Sequence, residues 1–131
     1  MSLKKSLEII SRVDRSEPLR HGIPLSFWVM LSELLAQHPT VEAAVLYGSR
    51  SRDTHRNGSD VDVCLFGRDL SWDTRVRIAN EFEDLSWPWR LDLTHWETTS
   101  SPRFRSEVRL DAELLYDRSG GVELPVALGL V

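Results

Sequence analysis

From Val41 to Phe66 the chain reads VEAAVLYGSRSRDTHRNGSDVDVCLF. The first part, Val41 to Tyr47, is a short apolar run with the length of a strand. Gly48-Ser49 ends it, and Ser49 to Ser59 is polar, with Gly58 as a turn residue. Asp60 to Phe66 then alternates. Val61, Val63 and Leu65 face one way; Asp60, Asp62, Cys64 and Phe66 face the other.

Downstream, Ser71 to Leu85 predicts an amphipathic helix. Trp72, Val76, Ala79 and Phe82 form its stripe, and Ser71 is its N-cap. Pro88 to Trp96, PWRLDLTHW, predicts a third strand, with Leu91, Leu93 and His95 on one face and Arg90, Asp92, Thr94 and Trp96 on the other. Ser101-Pro102 has the form of an N-cap followed by proline in the first helical position. Phe104, Val108, Ala112 and Leu115 give that last helix its apolar face. Upstream, Pro24 opens a helix striped by Phe27, Trp28, Leu31, Leu34 and Leu35, and Pro39 stops it. Ahead of the breaks at Glu17-Pro18 and His21-Gly22, the first 20 residues read as a short helix with Leu3, Leu7 and Ile10. After Tyr116 the chain turns at Gly120-Gly121 and ends in an apolar tail, Val122 to Val131. Helices interleaved with few strands predict an α/β or α+β domain with a small sheet.

A length of 131 residues is one domain. Hydrophobic residues at 41% and charged residues at 27% exclude wholesale disorder. Lys and Arg total 16 against 20 Asp and Glu, a net charge of −4, which argues against a general nucleic-acid coat protein. No run of about 18 apolar residues is present, so no membrane span is expected. The single cysteine, Cys64, forms no internal disulfide and reads as a buried small hydrophobe, which favours a cytoplasmic location. His21, His38, His55 and His95 show no metal-ligand spacing.

Asp60 and Asp62 project from one strand face about 6.6–6.8 Å apart. Two like charges there repel and resist desolvation, so a cation is expected nearby. Mg²⁺ suits carboxylate and phosphate oxygens, and Asp92 can add a third oxygen from the next strand. An Asp-x-Asp pair also occurs on exposed sheet faces with no metal role. Gly48 lets a phosphate approach the backbone, Ser49 adds a hydroxyl donor, and Arg50, Arg52, His55 and Arg56 cluster just after them. Together these suit a triphosphate with Mg²⁺; the basic cluster taken alone also fits a solvated loop. The phosphate-loop pattern G-x-x-x-x-G-K-[S/T] is absent.

Gly48-Ser49, ten residues, Asp60-Val61-Asp62 and a later strand with Asp92 resemble the signature of the nucleotidyltransferase superfamily that includes DNA polymerase β. The similarity covers roughly Val41 to Tyr116 and looks closest to the minimal nucleotidyltransferases. It implies an α+β fold, a small mixed β-sheet palm flanked by α-helices; the chain is expected to divide into an N-terminal helix or arm (1–22), a nucleotidyltransferase domain (23–117) and a C-terminal tail (118–131). It implies that Gly48 and Ser49 hold ATP phosphates, that Arg50 and Arg52 are the basic positions, and that Asp60, Asp62 and Asp92 bind Mg²⁺, with Asp92 also placed to take the proton of the attacking hydroxyl. AMP would pass to that hydroxyl as pyrophosphate leaves. After Arg52 the family usually has glycine, whereas this chain has Asp53. Either that carboxylate points outward or ATP binding is weakened.

A palm-sized chain has few residues left for an acceptor pocket, so the acceptor is expected on another polypeptide. Minimal nucleotidyltransferases commonly pair with a helical HEPN-family protein. The resemblance therefore implies an antitoxin that transfers AMP to a tyrosine of a HEPN toxin in a type VII-like toxin–antitoxin pair. Two alternatives are a binding-only antitoxin and a transferase for a small hydroxylated molecule with a separate substrate-binding subunit. No direct nucleic-acid partner is expected, and homo-oligomerisation is left open. Trp87, Trp89 and Trp96 surround the third carboxylate in sequence; they suit an interface, but buried core is the stronger expectation.

Overall fold

The computed structural model describes residues 17–120. A two-residue hairpin, β1 (Leu19–Arg20) and β2 (Ile23–Pro24), leads into α1 (Leu25–Ala36). There follow β3 (Ala43–Tyr47), β4 (Val61–Phe66), α2 (Trp72–Asp84), β5 (Leu91–His95), α3 (Pro102–Asp111) and β6 (Glu113–Asp117). The main sheet has four strands in the order β5-β4-β3-β6. β3 runs antiparallel to both β4 and β6, while β4 and β5 are parallel. A parallel pair needs a crossover, and α2 supplies it. This is the mixed-sheet α+β fold that the sequence predicts.

Alternation sorts the strands onto two faces. Ala44, Leu46, Val61, Val63 and Leu65 face a large core completed by Phe27, Leu31 and Leu35 of α1 and by Ile78 and Phe82 of α2. Ala43, Val45, Tyr47, Cys64 and Phe66 face a smaller cluster closed by Trp96 and by Val108 of α3. Cys64 is buried and free, as its strand position implies. No helix among the described residues is long and apolar enough to cross a membrane.

Several local expectations hold. Ser71 caps α2 by accepting from the Thr74 amide, and Ser101 caps α3 by accepting from Phe104, with Pro102 at the helix start. The five predicted stripe residues of α1 are all buried. His95 is a core histidine, with Nε2 2.8 Å from the Gly67 carbonyl and Nδ1 3.0 Å from Thr98 Oγ1.

Other expectations need correction. On α2, Trp72 is 67% exposed and Val76 is also exposed. Only the second half of the helix reaches the core, through Ile78, Phe82 and the following Leu85, while Arg75 lies over the Trp72 ring at 4.3 Å. The last helix stops at Asp111, so Leu115 leaves the Phe104, Val108, Ala112 stripe. It lies in β6, which pairs with β3, and packs against the larger core. Leu19 and Arg20 are a strand rather than the end of a helix. The Leu3, Leu7, Ile10 stripe and the Val122–Val131 tail lie outside the described residues.

Trp87 and Trp89 pack on Phe27 at ring distances of 5.4 and 5.5 Å, and Trp96 stacks on Phe66 at 5.4 Å. All three contribute to the cores rather than forming a free aromatic surface.

Candidate active site

β3 and β4 meet at the Gly48 turn. Tyr47, the last residue of β3, pairs with Asp62 across the sheet, and Asp62 in turn stands in register with Asp92 on the parallel strand β5. In-register neighbours on adjacent strands point to the same face. The two carboxylates therefore emerge together, close enough to share a hydrogen bond. Asp60 sits exposed just before β4 and adds its charge to the pair.

Asp62 is half-buried, and its pKa rises from 3.8 to about 6, first through desolvation and then through the charges of Asp92 and Asp60. Arg52 is the opposing charge that pulls it down. Tyr47 flanks the pair, its hydroxyl 3.3 Å from Thr94 Oγ1. Burial, followed by the nearby Asp62 and Asp92 charges, pushes its phenol up to about 12, so it stays protonated.

Gly48 has φ +80°, in the left-handed region, and a Cβ at this position would collide with the Asp62 carboxylate. Glycine is therefore required twice over, by its backbone and by the closeness of the acid. The loop beyond it folds into a tight turn. The Arg52 amide donates to the Gly48 carbonyl at 3.2 Å, and the Thr54 amide donates to the Ser49 carbonyl at 2.9 Å.

Several side chains of this loop are tied down. The Ser51 hydroxyl donates to the Asp111 carbonyl, and Arg52 Nη1 lies 2.6 Å from Asp111 Oδ2. Arg50 departs from its expected phosphate-facing place. Only 2% exposed, it donates to the Ser59 carbonyl at 3.1 and 3.0 Å and to the His21 carbonyl at 2.9 Å. A buried guanidinium needs its donors satisfied, and backbone carbonyls satisfy these. Arg50 thus braces the loop from beneath, with its pKa lowered by burial.

The structure therefore gathers Asp60, Asp62, Asp92, Gly48 and Arg52 around one end of the sheet, with Ser49 in the adjoining turn, and turns Arg50 inward. Alternation already puts Thr94 on the Asp92 face, but sequence reasoning missed Tyr47, which only the β3–β4 register brings beside the acids. It also missed Asp111, His21 and Glu113 as loop anchors, and no local signal marks them. Among the described residues no three His, Cys, Asp or Glu side chains already stand together as a metal site.

Residues 30–120 match the family described as Polymerase beta, Nucleotidyltransferase. The probable protein adenylyltransferase MntA of Haemophilus influenzae is 32% identical over 83 residues, which span 63% of this chain and 72% of that protein. In fold, the chain resembles the crystal structure of a toxin–antitoxin with AMP-PNP, with a TM-score of 0.58 and 21% identity over 72% of this chain and 74% of that one. It also resembles a structure of tri-AMPylated Shewanella oneidensis HEPN toxin in complex with MNT antitoxin, with a TM-score of 0.57 and 19% identity over 79% and 82% of the two chains. The paired acids beside a glycine turn, the mixed sheet beneath them and the extent of the sequence match agree, and the chain belongs to the polymerase β nucleotidyltransferase family.

Proposed function

We propose that this chain transfers AMP from ATP to a hydroxyl, most simply a tyrosine, of a HEPN-type partner protein and acts as its antitoxin. The observation that carries the reading is the Asp62–Asp92 register beside the Gly48 turn. Support comes from the protein adenylyltransferase relative and from the antitoxin complexes that share the fold. The free thiol of Cys64 suits the cytoplasm, where thiols stay reduced.

Each residue has a task in this reading. The bare backbone at Gly48 and the hydroxyl of Ser49 receive the terminal phosphates. Arg52, fixed by Asp111, offsets phosphate charge. Asp62 and Asp92, with Asp60 at the rim, are hard oxygen donors whose mutual repulsion calls for a divalent cation. They would hold Mg²⁺, which neutralises charge on the phosphates and on the reacting oxygen when bound. The acceptor hydroxyl attacks the α-phosphorus in line, the α–β bridging bond breaks, and pyrophosphate leaves. Asp92, more exposed than Asp62, accepts the hydroxyl proton. Most of the rate comes from positioning and charge placement.

The test incubates the protein with α-labelled ATP, Mg²⁺ and a HEPN-type protein. The label should move to the partner and be lost with the Asp60→Asn/Asp62→Asn double variant. Equal labelling by that variant sinks the reading. Neutralisation of the toxin by wild type without any transfer of label would replace it with a contact-only antitoxin.

A further inference from the structure

Asp53 is an acid inside a loop that the proposed function assigns to phosphate binding, and its surroundings are unusual. Its backbone has φ +57°, a left-handed conformation that favours glycine. Its carboxylate is 69% exposed, yet it is not left to swing freely: Oδ1 lies 2.9 Å from His21 Nδ1. Two of the loop's arginines are committed elsewhere. Arg50 is turned inward onto carbonyls, and Arg52 is paired with Asp111.

His21 in turn is held from several sides. It sits in the β1–β2 turn with its own φ at +56°. Its carbonyl accepts from Arg50 Nη1 at 2.9 Å, and its ring meets the Trp28 ring edge-on at 6.1 Å. Its other ring nitrogen, Nε2, bonds Glu113 Oε2, and Arg20 bonds the same carboxylate through Oε1. Burial pushes the Glu113 pKa up, but the bonds from Arg20 and His21 win and hold it below its ordinary value, so Glu113 stays ionised. The ring thus bridges the two carboxylates, one through each nitrogen.

We propose that His21 is a positioning residue for nucleotide binding: anchored by Glu113, it draws the Asp53 carboxylate toward the β1–β2 turn and keeps that negative charge away from a triphosphate at Gly48–Ser49. The inference rests on the nucleotide reading above. It also resolves the outward-or-weakened alternative that the sequence leaves at Asp53. The acid is compatible with the loop because a second segment of the chain holds it.

The experiment is a calorimetric titration of ATP with Mg²⁺ into the full chain and its variants. His21→Asn keeps a residue that tolerates left-handed backbone but cannot bridge both acids. It should weaken binding by about five- to tenfold, the scale of one uncompensated charge near the phosphates. Adding Asp53→Gly to that variant should bring the Kd back to within about twofold of wild type. A purely structural loss at His21 would not be rescued in this way. Should His21→Asn fail to fold, as judged by circular dichroism, Glu113→Gln loosens the ring while leaving it present. That variant should bind about two- to threefold more weakly, again with rescue by Asp53→Gly. Wild-type affinity in His21→Asn, or a defect that persists after Asp53→Gly, overturns the inference alone. Wild type that fails to bind ATP overturns the nucleotide reading and this inference with it.

Discussion

The two faces of the central sheet are built from the same strands and solve opposite problems. On β4, Val61, Val63 and Leu65 are 0% exposed under α1 and α2. One residue out of step, Asp62 looks the other way, where α3 covers Val45, Tyr47, Cys64 and Phe66 but leaves Asp62 half-buried and Asp92 exposed. The closed face gains stability by removing apolar area from water. The part-open face gives some of that up, crowding carboxylates beside a glycine turn. A stable platform on one side lets the other side hold a costly charge arrangement.

The largest effect expected from breaking this division is on the part-open face. Asp62→Asn should cut AMP transfer by about a thousandfold or more, as the loss of a central charged ligand does. The same change should stabilise the metal-free protein at neutral pH, because it removes the repulsion among Asp62, Asp92 and Asp60. Transfer assays and thermal melts in chelator measure the two halves. A variant that is both inactive and less stable would contradict the comparison.

On the closed face, Phe27→Ala should cost about 3–5 kcal/mol by leaving a cavity among Trp28, Phe82, Trp87 and Trp89. Denaturant unfolding measures this, and the folded fraction should keep its turnover. Gly48→Ala falls between the two faces. Its left-handed backbone alone should cost about 1 kcal/mol or more, and the new methyl group must displace the Asp62 carboxylate. A loss of activity larger than the loss of stability is therefore expected.

The pH dependence of stability sharpens the comparison further. Folding holds the Asp62 proton to about 6, against 3.8 for the ordinary side chain. This contribution is fully present below the unfolded value and is lost as the pH rises through about 6. Melting temperature in chelator should fall across that window in wild type and stay flatter in Asp62→Asn. The smallest effect is Ser71→Ala, which removes the α2 cap for about 1 kcal/mol and leaves transfer unchanged.

Much of the fold was legible because its signals are local. Alternation at Asp60–Phe66 and Leu91–Trp96 sets which side chains share a face before any contact forms. Ser71 and Ser101 announce helix starts through their own hydroxyls. β6 was not legible in this way. Val108, Ala112 and Leu115 fit helical spacing, and only the pairing of Glu113–Asp117 with β3 turns the chain into a strand. Trp72 has the right spacing for a core stripe, but where α2 lies on the sheet leaves it in solvent.

The same division holds at the site. The sequence by itself determined the donor types, the glycine bend and the side of each strand that carries an acid, because backbone geometry sets these over two or three residues. Only the tertiary structure decided that Asp62 faces Asp92, since that register depends on the crossover through α2. It also decided that Arg50 turns inward and that Asp53 is tied to His21. Those outcomes belong to partners 29 and 32 positions away along the chain, and burial and charge pairing at such separations exist only once the sheet has closed.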